Sequence, residues 1–510
     1  MKKKYLLSFS IALCSILAGA QNAVVTGTVS PEKDGSVMMV FLQDGLLELA
    51  GMDTVRNGKF SIPLELPSPE ARLFYLSCSG YESNLLRYFP IKPGAEVHVD
   101  VNSPNIYRWG ATSNIPEHAQ YEAFADGIKD FMIEFGDLHA QMEAVYTDST
   151  LTDEQKADKQ KKMNESIDSI QRLALLKKTE LLKRLPVSQM WMEELDDAVY
   201  TTNYLTAVPE SVLPDLKTVY EALSPEWKES SKGKHIHAYL YPPEKVKEGD
   251  MMADMDFYDL DGNVKHLADF DGKWRLLDFW SAGCYPCIMA VDELKILAEK
   301  YKDTVEVISI SRDNDRQWRA ASQRHGITWT NWNDLKEETG AHMKYDIEAI
   351  PTFILISPDG KIVKKWSGYG VGALKNAICS TALPAPEPVY YHSGDTLIVH
   401  NPVVEQNSTE GILELEKIER TPDAVILHFS VFHHPQYWMK IVPESCLRTP
   451  DGSQYTVLSA DGIELGAEHY VKDWESHITL TFPPLPEGTE TFDFIESPSW
   501  TITGIRLPKE

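Results

Sequence analysis

From residue 22 to about 110, apolar and polar positions alternate in short runs. "AVVTGTVS", "SVMMVFL", "KFSIPLEL", "ARLFYLS" and "AEVHVDV" are β-branched or aromatic, and turn material such as "EKDG", "RNG" and "KPGA" separates them. A period of two bounded by Gly, Asn and Asp predicts strands, here a small antiparallel β-domain over 21–112. At residue 113 the period changes. Tyr121, Phe124, Ile128, Phe131, Phe135 and Leu138 recur at steps of three and four, the apolar stripe of a helix. A second long helix is predicted in "LTDEQKADKQKKMNESIDSIQRLALLKKTELLKRLP", with Thr152 and Gln155 placed for a capping box and Pro186 for its stop. At least two shorter helices follow, so 113–244 reads as a helical region whose stripes are packing surface. His235 and His237 have no carboxylate or cysteine cluster beside them and read as linker residues.

Proline-rich joints stand at "YLYPPEKVKEGD" and "ALPAPEPVY". Between them, over 245–383, the predicted order is hairpin, strand, helix, strand, helix, helix, strand, strand, helix. Residues 384–510 return to alternating runs, "DTLIVH", "AVILHFSVF", "HITLTF" and "TITGIRL", the pattern of an antiparallel β-sandwich. His433 and His434, beside Pro435, fall between strands in a turn. A chain of 510 residues is too long for one core, and this is a multi-domain protein by pattern alone.

Composition is that of a globular protein, 43% hydrophobic and 25% charged. The first twenty residues differ. Lys2, Lys3 and Lys4 precede the apolar "LLSFSIALCSILAGA", which ends in Ala18-Gly19-Ala20. That is the form of a secretory signal peptide (1–20), cut after Ala20, and it predicts a periplasmic protein. The net charge of −27 becomes more negative once the leader's three lysines are gone. Such a surface repels nucleic acid and anionic lipid, so neither is expected as a partner. Of the six cysteines, five would remain, too few for a disulfide-stapled scaffold. Cys78 and Cys379 read as small buried hydrophobes, Cys446 as partly exposed, and Cys284 and Cys287 as a dedicated pair.

The pair sits where "WRLLDFWS", a buried strand by composition, hands over to "CIMAVDELKILAEKY", with Ile288, Val291, Leu294, Leu297 and Tyr301 at helical spacing. Cys284 is therefore expected at a helix N-terminus, where amide N–H groups and the dipole favour a thiolate. Cys287 is expected one turn further in and shielded, and Pro286 suits a first turn. That is the layout of an attacking and a resolving thiol. A zinc site would need a second ligand pair at matching spacing, and none is nearby. No metal and no other cofactor is expected.

The stretches "DGKWRLLDFWSAGCYPC", "VEVISISRD" and "YDIEAIPTFILISPDGKIVKKWSG" resemble the TlpA/ResA-like thioredoxin domains of bacterial envelopes. The resemblance covers about 245–382 and implies a thioredoxin-like α/β domain. By position it implies Cys284 as nucleophile, Cys287 as resolving thiol, and Asp278 as the buried carboxylate that helps move the proton of Cys287. It further implies Trp280 packed under the active-site loop, Pro351 as the cis-proline facing the disulfide, and Ile350 offering backbone groups to an extended substrate. Tyr285, between the thiols, adds bulk without charge. The chain departs from the family's pattern at Gly283, where Trp is usual. It departs again at Ile288, Ala290 and Asp292, where a basic residue and Glu-x-Pro are usual. The Glu beside the cis-proline of domains serving cytochrome c maturation is absent too. The N-terminal strands separately resemble a β-domain of unassigned function that precedes thioredoxin modules in exported bacterial proteins.

The expected function is thiol–disulfide exchange with protein disulfides of the envelope as substrates, a membrane electron donor restoring the dithiol. Two other readings compete. A binding or scaffold protein could hold Cys284–Cys287 as a permanent disulfide. A peroxiredoxin-like peroxidase would use a Pro-x-x-x-Ser/Thr-x-x-Cys approach, in which Ser281 fits but Leu277 replaces the proline.

Overall fold

The computed structural model describes residues 22–44, 46–66, 69–79, 85–384, 386–409 and 411–508. The leader expected at 1–20 lies outside them. The chain divides into two compact units, residues 1–243 and 244–510. No helix among the described residues is long and apolar enough to cross a membrane.

In the first unit, strands Lys59–Leu64, Ala23–Val29, Glu96–Val101 and Gly110–Ser113 lie side by side in that order. A second sheet runs Leu46–Thr54, Val37–Asp44, Arg72–Cys78, Tyr88–Ile91. Their alternating inward residues, among them Val25, Val40, Ile62, Phe74, Phe89 and Val99, close one core. The antiparallel expectation needs one correction: Ala23–Val29 and Glu96–Val101 run parallel. Between these two strands the chain lays down the whole other sheet and the antiparallel neighbour Lys59–Leu64, a connection long enough for the crossover a parallel pair requires. Gly27 sits at this seam because a Cβ there would lie 2.2 Å from the Val99 carbonyl oxygen.

Helices Pro116–Thr147 and Asp153–Arg184 follow, the second opened by the Thr152–Gln155 capping box and stopped before Pro186. Phe124, Ile128 and Phe135 of the expected stripe are buried. Four shorter helices complete the region, and His235 and His237 lie on the last, Ser231–Leu240, rather than in a linker. The His235 Nδ1 is 2.7 Å from the Asp196 carboxylate, which anchors it to helix Gln189–Thr201.

The second unit holds a seven-stranded sheet in which Trp274–Trp280 is an interior strand, paired in parallel with Val305–Ser311 and antiparallel with Thr352–Ile356. Helices Tyr285–Lys300 and Ala373–Thr381 cover one face through Ala290, Leu294, Leu297, Leu374 and Ile378. The expected order omits one strand, Thr330–Asn333, which pairs with Val305–Ser311. Residues from 389 on form antiparallel sheets of six and five strands around their own core. His433 and His434 follow strand Val425–Phe432 and are buried, as is Cys446, contrary to the expected exposure.

Candidate active site

All seven residues of strand Trp274–Trp280 are buried or nearly so, as a strand covered on both faces must be. It ends at Trp280, and the loop Ser281–Gly283 leads to Cys284, the N-cap of helix Tyr285–Lys300. Asp313 fixes that loop: its Oδ2 accepts from Ala282 N–H at 2.7 Å and from Ser311 Oγ at 3.0 Å. Pro286 lies in the first turn, where its missing N–H costs nothing.

Cys284 and Cys287 are joined by a disulfide, their Cα atoms 5.3 Å apart. The environments of the two sulfurs are unequal. Cys287 is buried at 3% exposure, whereas Cys284 is half-buried. The Cys287 N–H donates to Cys284 Sγ at 3.2 Å, so the first turn of the helix already points a donor at the outer sulfur. Tyr285 projects into solvent at 72% exposure, and Gly283 is also exposed, leaving that side open.

Trp280 and Cys287 pack with Trp318, Ala321 and Ile327, and Cys284, Trp329 and Ile350 lie against the same cluster. Ile350, packed against the cluster to which Cys287 belongs, forms a cis peptide bond with Pro351. The turn before it is held by Thr352 Oγ1, which donates to the Ala349 carbonyl at 2.6 Å, and Pro351 accepts from Gly368 N–H at 2.8 Å.

Asp278 lies within the interior strand Trp274–Trp280, 4% exposed, next to Ser309 across the parallel ladder. Burial raises its pKa to about 7, against the lowering effect of a Ser309 hydrogen bond. Ser309 Oγ donates to Asp278 Oδ2 at 2.8 Å and accepts from Trp329 Nε1–H at 2.9 Å. Asp278 Oδ1 is buried without a hydrogen-bond partner.

Sequence reasoning did not name Ser309, Asp313, Trp329 or Glu293. Glu293 sits on the active-site helix, fully buried, and accepts from Tyr369 Oη at 2.9 Å, Gly372 N–H at 3.0 Å and Lys375 N–H at 3.1 Å. It ties that helix to the start of Ala373–Thr381. The only signal available was the "SISRD" run and a glutamate on a helix, neither of which says what it touches. Among the described residues no group of three or more His, Cys, Asp or Glu is placed to hold a metal ion.

A family model described as the AhpC/TSA family matches residues 249–365. The thiol-disulfide oxidoreductase ResA of Bacillus cereus is 30% identical over 132 residues, 24% of this chain and 72% of that protein. The thioredoxin-like protein YneN of Bacillus subtilis is 26% identical over 121 residues, 23% of this chain and 69% of its own length. Among solved structures, the thioredoxin domain of a thiol-disulfide oxidoreductase from Bacteroides vulgatus is 28% identical, covering 27% of this chain and 100% of that one with a TM-score of 0.26.

Proposed function

Because the chain belongs, through this domain, to the thioredoxin-like thiol–disulfide oxidoreductases, we propose that it reduces or isomerises disulfides of exported envelope proteins through Cys284 and Cys287. The observation that carries this reading is the unequal pair at a helix N-terminus, a reachable sulfur outside and a 3% exposed sulfur within. In the reduced protein the N–H that meets Cys284 Sγ, with the helix dipole, favours its thiolate. That thiolate attacks a substrate disulfide and forms a mixed disulfide. Cys287, giving its proton to Asp278, then displaces the substrate thiolate and closes the Cys284–Cys287 bond. Two electrons pass from the protein's dithiol to the substrate, and a membrane dithiol donor returns them.

Ile350, the cis Pro351 and Tyr285 are assigned to substrate contact, and Trp280, packed with Cys287, to support of the loop from below. No cofactor besides the two sulfurs enters the reaction. The basic and then apolar start of the chain, read as a leader over 1–20, supports export, and the acidic composition argues against nucleic acid as a partner.

Insulin reduction driven by dithiothreitol tests the activity. Turnover is expected for the full chain and loss of turnover for Cys284→Ser, while Cys287→Ser should accumulate covalent mixed disulfides with envelope proteins. A wild-type protein that never turns over would leave the pair a structural disulfide.

A further inference from the structure

A buried carboxyl can serve a thiol only if the right oxygen faces it with the right protonation. Asp278 Oδ2 accepts from Ser309 Oγ at 2.8 Å, and Ser309 Oγ accepts from Trp329 Nε1–H at 2.9 Å. An indole N–H can only donate, and a hydroxyl has a single proton. With Trp329 occupying an acceptor site on its oxygen, the Ser309 proton is directed at Oδ2. Oδ1 is left buried and unpartnered. Oδ1 is thus the carboxyl oxygen with no donor already in place, and a proton arriving at Asp278 finds it free. Trp329 also packs against the cluster to which Cys287 belongs, so the indole that donates to Ser309 lies on the side of the sheet that carries the disulfide.

The surroundings hold no competing charge. The influences on Asp278 are burial and the Ser309 hydrogen bond, without a charged neighbour. On the covering helix, Glu293 is held by Tyr369, Gly372 and Lys375, and Asp292 faces His434 at 3.5 Å. On the neighbouring strand Val305–Ser311, Glu306 accepts from Thr330 Oγ1 at 2.5 Å and lies 3.6 Å from Lys273. The other neighbouring strand presents Phe353 beside Asp278. The titratable groups of the shared cluster are the two thiols.

We propose that Ser309 and Trp329 are positioning residues of the exchange reaction, which together hold Asp278 so that its Oδ1 receives the proton of Cys287. The inference rests on the reading of Asp278 as the base for Cys287. In the resolving step the Cys287 S–H bond breaks and an O–H bond forms at Oδ1. The Cys287 thiolate attacks Cys284 Sγ, and the substrate sulfur leaves with the electron pair of the mixed disulfide. When a dithiol donor reduces the Cys284–Cys287 bond, the proton returns from Oδ1 to Cys287.

The test is the protonation of Asp278, read from its carboxyl C=O band by infrared difference spectroscopy on the oxidised full chain, alongside the acid limb of insulin-reduction turnover. Asp278→Asn assigns the band. A hydroxyl donating to a carboxylate stabilises the charged form, so Ser309→Ala is expected to raise the midpoint by about one pH unit. Trp329→Phe should move it the same way by less, and Ser309→Thr should restore it. The acid limb should move with the band. An acid limb that Asp278→Asn abolishes but Ser309→Ala and Trp329→Phe leave in place would overturn the proposal alone. A wild-type acid limb in Asp278→Asn would remove the base itself, and the proposal with it.

Discussion

Burial of the Asp278 carboxyl makes the stability of the fold depend on pH. Its pKa is raised from 3.8 to about 7 by burial, so the folded protein holds the proton more tightly than the unfolded chain. The resulting stabilisation is complete below about pH 4 and is lost as pH rises through about 7. At pH 8 the ionised carboxylate costs on the order of 4 kcal/mol relative to acid conditions. Asp278→Asn is therefore expected to raise the denaturation midpoint of the oxidised protein at pH 8 and to change it little at pH 4.5, measured by guanidinium unfolding. An equal effect at both pH values would mean that Asp278 is not buried as a neutral acid. The chemistry at this scale was partly legible. Cys284, Pro286 and Cys287 announce themselves because a buried strand gives way to helical spacing at the pair. Ser309 and Trp329 do not, because the register Asp278↔Ser309 brings the first to the carboxyl and the pairing Ile308↔Thr330 brings the second to Ser309.

At the scale of elements, the active-site helix Tyr285–Lys300 is held from behind by Glu293, which supplies acceptors to the start of helix Ala373–Thr381. Burial raises the pKa of Glu293 despite its hydrogen bonds from Gly372, Lys375 and Tyr369. Glu293→Ala leaves these donors unpaired and is expected to cost about 3 kcal/mol, with Glu293→Gln recovering part of it, by chemical denaturation. A loss below about 0.5 kcal/mol in Glu293→Ala would show that water replaces the carboxylate there. Residue periodicity located both helices but not this joint, since a side-chain cap between distant helices leaves no period. Strand Thr330–Asn333 escaped for a similar reason. "TNWN" is short and mostly polar, and it becomes a strand by pairing with Val305–Ser311. Strand direction is equally invisible in a period of two, so the parallel pairing of Ala23–Val29 with Glu96–Val101 could not be read.

At the scale of the molecule, the proline-rich joint near residue 384 reads as a boundary, yet residues 244–510 form one compact unit. Phe432, fully buried on a strand of the C-terminal sandwich, shares a core with Leu374, Ile378 and Ala382 of the thioredoxin-like domain. Lys375 Nζ lies 5.1 Å from the centre of the Phe432 ring and 2.9 Å from Glu414. The two domains are expected to unfold together, and Phe432→Ala should destabilise both by about 3–5 kcal/mol. Native-state hydrogen exchange on the full chain checks this; protection lost in the sandwich alone would separate the domains. Exchange at Cys284 and Cys287 is read without a substrate by equilibrating the full chain in redox buffers, with thiols counted by alkylation and mass spectrometry. The expected result is one reversible two-electron transition confined to Cys284 and Cys287. A pair that stays oxidised across the whole range, or thiols that appear elsewhere in its place, would contradict it.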